Sequence, residues 1–415
     1  MRSCSAIRAA LLGSALALTA LAPAFAAETL HADLKRQLAA HGPQSPAFQK
    51  SGIATPDRRS ATYTDLYDFA GRPDGSAPTA EVTLDDGNLF GTTAGGGEGA
   101  GTIFKRASDG TESVIYSFPV DASNGQSPDG ALTITAKGDM YGTTSSGGAG
   151  RNGVLYKLSA KGEYTVLHAF SYNEGSSIRG RLVRDELGNL YGTALFGGAP
   201  GNGTVFKYAA DGTFSVLHTF TGGSDGQYPQ HGMVRDSAGN LYGATGFGGA
   251  SGMGTVYKIA PDGTLSTVYS FTGGADGGFL FGGIGIGKDG NLYGSTVFGG
   301  ANSSGTVFKL TPAGALTTLY NFTGGADGGS AKGEMLVLGG KLYSTTSQGG
   351  DPNCGCGVIY EINAKGKYKV LHTFTNATGG DYSAGLTKGK DGMLYGTTSS
   401  WGANSNGTVF SITKR

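Results

Sequence analysis

Short runs of β-branched and aromatic residues, four to eight long and closed by Gly, Asp or Asn, recur along the chain from residue 61 onward. One unit shows the pattern. Gly232 to Arg235 leads into a turn at Asp236-Ser237-Ala238-Gly239; Asn240 to Thr245 and Gly254 to Ile259 follow. A turn at Pro261-Asp262-Gly263 then opens the run Thr264 to Phe271. Such runs predict strands, and four antiparallel strands make one propeller blade.

The unit repeats. A Leu-Tyr-Gly-like triplet places its aromatic residue at Phe90, Tyr141, Tyr191, Tyr242, Tyr293, Tyr343 and Tyr395, with spacings of 51, 50, 51, 51, 50 and 52. A constant period of about fifty residues is propeller-sized. The ends are complementary: the last third run, Gly407 to Ile412, has no fourth run after it, and a matching run, Tyr63 to Phe69, precedes the first full unit. The expected fold is therefore all-β, a seven-bladed β-propeller with four antiparallel strands per blade. The N-terminal strand completes the last blade and removes an unpaired edge. A helical solenoid would need no such exchange.

The run Asn291-Leu292-Tyr293-Gly294-Ser295-Thr296, the diglycine Gly299-Gly300, and the runs Gly305 to Leu310 and Thr317 to Phe322 resemble the GloVer tandem repeat of the choice-of-anchor tandem-repeat proteins. The resemblance covers residues 63 to 415 and returns in every unit. It implies a bacterial, exported protein and assigns no molecular function.

Composition adds limits. The 77 glycines fall at fixed places in the repeat and read as turn punctuation. Lys+Arg and Asp+Glu both count 31, so no basic footprint for nucleic acid is visible. Arg2 and Arg8, an apolar run over 9–22 and Ala24-Phe25-Ala26 predict a signal peptide over 1–26. A secreted or periplasmic protein with no membrane span, monomeric, is expected. Leu30, Leu34 and Leu38 suit a short helix within residues 27–60, read as a tether or a poorly ordered arm. The mature chain keeps Cys354 and Cys356, which form a disulfide or remain as two free thiols.

Loop length sorts by face. Links between runs two and three (Phe196 to Asn202) and from run four to the next blade (Thr221 to Gln227) are long and glycine-rich. They should share one face around the channel, where ligand contact is expected; the opposite face offers only short turns. At the start of the innermost strand the blades differ, with Glu81, Asp129, Arg179, Arg181, His231, Lys332 and Glu334 breaking the repeat. Arg179, Arg181 and His231 are candidates for holding a carboxylate or moving a proton; the bland alternative is that these groups pair with one another. Phe196, Phe247 and Phe298 share one loop position, and Trp401 lies one residue further in the seventh unit. Exposed rings would stack on sugars, and buried ones would pack between blades. His168, His218 and His372 stand where other units carry Tyr and read as packed strand residues. Asp225, Asp276 and Asp327 precede glycine in the other loop set, as turn formers or, alternatively, calcium ligands. No other cofactor is expected.

Two functions remain open: a non-catalytic binding module for a glycan or surface protein, or a polysaccharide lyase or glycoside hydrolase acting at the channel mouth. A charged cluster across the channel would favour the enzyme, and a flat aromatic surface the binder.

Overall fold

A computed structural model describes residues 61–414; the expected signal peptide (1–26) and arm (27–60) lie outside the described residues. Seven antiparallel sheets succeed one another along the chain and form a seven-bladed β-propeller. The fifth blade is representative. Gly285–Ile286 is innermost, followed outward by Leu292–Ser295, Thr306–Leu310 and Leu316–Asn321. Among the described residues no helix is long and apolar enough to cross a membrane.

Closure is as the repeat count requires. Tyr63–Asp68 pairs antiparallel with Thr408–Ile412, Tyr63 lying opposite Ile412 and Asp68 opposite Thr408. Just past the strand, Phe69 N donates to Gly407 O at 3.1 Å, and Phe69 is wholly buried against Val82, Leu89, Phe104 and Val409.

The recurrent residues each have a packing reason. The third strand of a blade is covered on both faces, so Val307, Phe308 and Leu310 are all fully buried. The glycine of the Leu-Tyr-Gly triplet admits the aromatic ring of that strand: a Cβ on Gly294 would lie 2.6 Å from the Phe308 ring. Buried threonine hydroxyls satisfy one another across the sheet, as in Thr245 with Thr255 at 2.9 Å and Thr296 with Thr306 at 3.0 Å.

At the rim, rings of consecutive blades stack. Tyr116 lies 4.1 Å from Tyr164, His168 lies 3.8 Å from Phe214, and Tyr63 lies 3.8 Å from His372. His168 and His372 are thus packed strand residues, and His218 shares a 3.0 Å hydrogen bond with Asp225.

Three blades carry no ring at this position, and in one of them the residue is charged. The register puts Glu112 where blades two and three carry Tyr164 and Phe214, and blades four and five carry Leu265 and Leu316. Neither Glu112 Oε1 nor the neighbouring Asp74 Oδ1 has a hydrogen-bond partner among the described residues. Burial, then the Asp74 charge, pushes the Glu112 carboxyl up to about 7. A carboxyl raised above its unfolded value of about 4.3 destabilises the fold as pH rises from about 4.3 and fully above its folded value. Glu112→Gln should therefore stabilise the protein above pH 7 and leave it unchanged near pH 4. The carboxyl is half-exposed and screened, so the gain is about 1 kcal/mol. Denaturant unfolding at both pH values reads this directly, and equal stability at pH 8 would rule it out.

The long loops share one face, and backbone pairing stitches them together. In each blade the loop leading into the innermost strand bridges the loop between strands two and three: Gly75 with Gly96, Ser176 with Phe196, Gln227 with Phe247, Gly380 with Ser400.

Candidate functional site

Strand pairing fixes which inner residues share a level around the axis. Thr83 lies opposite Phe90, Val183 opposite Tyr191 and Leu336 opposite Tyr343. Two residues earlier on each inner strand come Glu81, Arg181 and Glu334. The corresponding residues of the other four blades are Ala131, Gly232, Gly283 and Gly385. Three ionisable side chains thus stand in a ring otherwise made of glycine and alanine. The small residues make room: a Cβ on Gly283 would meet Glu334 Cγ at 2.6 Å, and one on Gly385 would meet Glu334 Cβ at 2.8 Å.

Blades one and three are not neighbours, so their side chains meet across the axis. Arg181 Nε donates to Glu81 Oε1 at 3.0 Å, and its Nη2 lies 3.0 Å from the same oxygen. Its Nη1 donates to Thr83 Oγ1 at 3.1 Å and to Leu132 O at 3.3 Å. Burial alone would raise the Glu81 carboxyl, but the Arg181 charge and hydrogen bonds outweigh it and hold Glu81 below the usual carboxylate range. Glu334 goes the other way. Burial, then the Glu81 charge, pushes it up to about 8, with the Arg181 charge partly opposing. Burial also lowers His231, with the Glu81 charge partly opposing. At neutral pH the ring therefore holds an ion pair, a protonated carboxyl and, beside them, a neutral imidazole.

The next level toward the loop face carries a second pair. Thr79 Oγ1 donates to Asp129 Oδ1 at 3.1 Å, and Arg179 Nε lies 3.7 Å from Asp129 Oδ2. On the other side of the ring a cavity of 240 Å³ is lined by Glu81, Arg181, Glu334, Leu336, Leu386 and Lys388, among others. Inner strands run from the loop face to the short-turn face, so this concavity extends toward the short turns, where little concave surface was expected.

The aromatic set divides. Phe196, Phe247 and Phe298 are buried at 6%, 4% and 9% exposure, so they offer no open stacking face. They are trapped under the stitched loops: Phe196 against Tyr228 at 5.4 Å, Phe247 against Phe279 at 5.0 Å, and Phe298 against Phe279 at 6.0 Å. Trp401 differs, with 40% of its surface exposed. It stands where other blades carry the first glycine of a diglycine, and it keeps that left-handed conformation, with φ 65° against 89° at Gly197 and 79° at Gly299. A bulky residue there is strained. Its neighbour is the Cys354–Cys356 disulfide: a Cβ on Gly380 would lie 2.9 Å from Cys356 Cβ and 3.3 Å from Trp401 Cδ1.

The loop aspartates serve their own turns. Asp225 accepts from Thr221 N at 2.9 Å, and Asp276 from Thr272 N at 2.9 Å and Tyr269 OH at 3.1 Å. Asp327 accepts from Thr323 N and Tyr320 OH, both at 2.9 Å. Their carboxylates accept from donors of their own loop and the preceding strand, and each sits in its own blade. Among the described residues no three His, Cys, Asp or Glu side chains gather as a metal set.

The fold and this axial arrangement define a seven-bladed propeller module with a charged, self-paired centre. The chain belongs to the Gloeobacter/Verrucomicrobia repeat family, whose model matches residues 49–186, 99–286 and 232–415. No curated protein matches the sequence. Among solved structures it is similar to the extracellular domain of a hybrid two-component system of B. thetaiotaomicron. That similarity has 10% identity and a TM-score of 0.58, and covers 84% of this chain and 39% of that one. A second such extracellular domain from B. thetaiotaomicron gives 13% identity and a TM-score of 0.55, covering 85% of this chain and 41% of that one. This chain thus spans about two fifths of those structures, and at such identity the likeness is one of fold.

Proposed function

We propose that this protein is an exported propeller that binds a glycan on its loop face without transforming it. Trp401 carries the reading. A lone tryptophan, 40% exposed and held in a backbone conformation that six other blades assign to glycine, is a costly feature. An exposed indole offers a flat apolar face suited to stacking on a sugar ring. Export is supported by the signal-like N-terminus and by the extracellular origin of the two similar propellers.

Catalysis at the axis fits less well. Two-carboxylate glycoside hydrolysis needs a second carboxylate free to act as nucleophile or base, whereas the Glu81 carboxylate is held by Arg181. A lyase needs a cation free for the substrate carboxylate, and Arg181 already spends its charge on Glu81. Arg179 is the better placed of the two for a ligand, its side chain being 43% exposed.

Because the chain has one tryptophan, its fluorescence reports the site. A glycan-array hit titrated against the mature protein should shift Trp401 emission, and Trp401→Ala should weaken binding about tenfold or more, the scale of one lost stacking ring. Trp401→Gly should bind as poorly but be about 1 kcal/mol more stable than the alanine variant, since glycine tolerates positive φ. Undiminished glycan affinity in both variants would sink the proposal. Retention of a protein partner alone would replace it with a protein-binding role.

A further inference from the structure

The axial cavity is a different place from the Trp401 corner, and its chemistry is unbalanced. Two carboxyls, Glu81 and Glu334, face a single guanidinium. Arg181 gives both its Nε and its Nη2 to Glu81 Oε1. None of the ion pairs among the described residues includes Glu334. Lys388 also lies on the cavity wall, where it is exposed and forms no ion pair with Glu334. One side of the cavity is apolar, formed by Leu336 and Leu386. The flanking Gly283 and Gly385 leave the Glu334 side chain room that no larger residue would allow.

We propose that this cavity binds a small ligand carrying one cationic nitrogen on an apolar body. The nitrogen takes the place between Glu81 and Glu334, and the body lies on Leu336 and Leu386. The proton on Glu334 stands in for that cation. When the ligand enters, Glu334 releases its proton to solvent and the cavity holds two carboxylates, one guanidinium and one ligand cation, so charge is conserved locally. A volume of 240 Å³ suits a ligand of this class rather than an oligosaccharide.

The groups that bear on Glu334 are Glu81 and Arg181 in contact, His231 beside Glu81, Lys388 on the wall and Lys332 two residues earlier on the strand. Burial lowers His231 from its ordinary value, so at pH 8 it is neutral, whereas Glu334 is pushed up to about 8.

The test uses n-butylammonium chloride, with sodium butyrate as the charge-reversed control, by titration calorimetry on the mature protein. Saturable butylammonium binding is expected at pH 8, with net proton release revealed by two buffers of different ionisation enthalpy. Affinity should fall about tenfold or more at pH 6, where Glu334 holds its proton. The isosteric Glu334→Gln should lose about tenfold or more and lose the proton release, with Trp401 emission unchanged as a check on folding. No saturable binding by the wild type at pH 8, equal affinity for butyrate, or unchanged affinity in Glu334→Gln would each overturn the proposal.

Discussion

Deleting residues 61–70 should abolish cooperative folding of the propeller and make the protein aggregate. The segment supplies the outermost strand of the seventh blade, so its loss leaves Thr408–Ile412 with a row of unpaired backbone groups. It also removes Phe69, wholly buried between the last blade and the first. The single change Phe69→Ala should already cost about 3–5 kcal/mol, read from denaturant unfolding. A synthetic peptide of residues 61–70 added to the truncated protein should restore a cooperative transition, because the strand contributes through pairing and packing that need no covalent link. A truncated protein that stays monomeric and melts as the full chain does would refute this account of closure.

The repeat was legible because its residues answer to packing that every blade shares. The Gly294 position must admit the Phe308 ring, the Thr296 and Thr306 hydroxyls must meet, and the third strand must be apolar on both faces. Those needs recur at one period, so the sequence shows them at one period. Closure was legible for a related reason: a strand missing at one end and surplus at the other can be satisfied in one way.

The axial ring was only half legible. Glu81, Arg181 and Glu334 stood out as breaks in the repeat, but the sequence does not place them at one level. Counted back from the repeat aromatic, Glu81 and Glu334 lie nine residues away and Arg181 ten, because the hairpin between the first two strands varies in length. Only strand pairing removes that offset. The loop phenylalanines left stacking and packing both open for another reason. Periodicity predicts burial within strands, whereas Phe247 and Phe298 sit in loops buried by pairing with the adjoining loop through Gln227 and Gly278. Trp401 escapes this because it lies one residue further along, at the diglycine position.

Arg181→Met should destabilise the protein by about 3–5 kcal/mol at pH 7.5, the range for leaving a buried charge without its partner. The guanidinium carries four hydrogen-bonding contacts across the axis, to Glu81, Thr83 and Leu132. Without it the buried Glu81 carboxyl loses its cation, beside a half-buried Glu334. The pH dependence identifies the cause. In the wild type Glu81 is depressed, so the pair stabilises the fold above the unfolded carboxylate value of about 4.3, and this is lost as pH falls through the folded value. In the variant Glu81 has no cation to hold it ionised and gains a proton more readily. The deficit relative to wild type should therefore be largest near pH 7.5 and shrink toward pH 4.5. Adding Glu81→Gln should recover most of the loss at pH 7.5, since it removes the stranded charge while keeping the side-chain shape, and the double-mutant cycle then reports the coupling of the pair. A loss that is equal at both pH values and is not rescued by Glu81→Gln would mean that Arg181 matters for its packing, and that the axial ion pair contributes little.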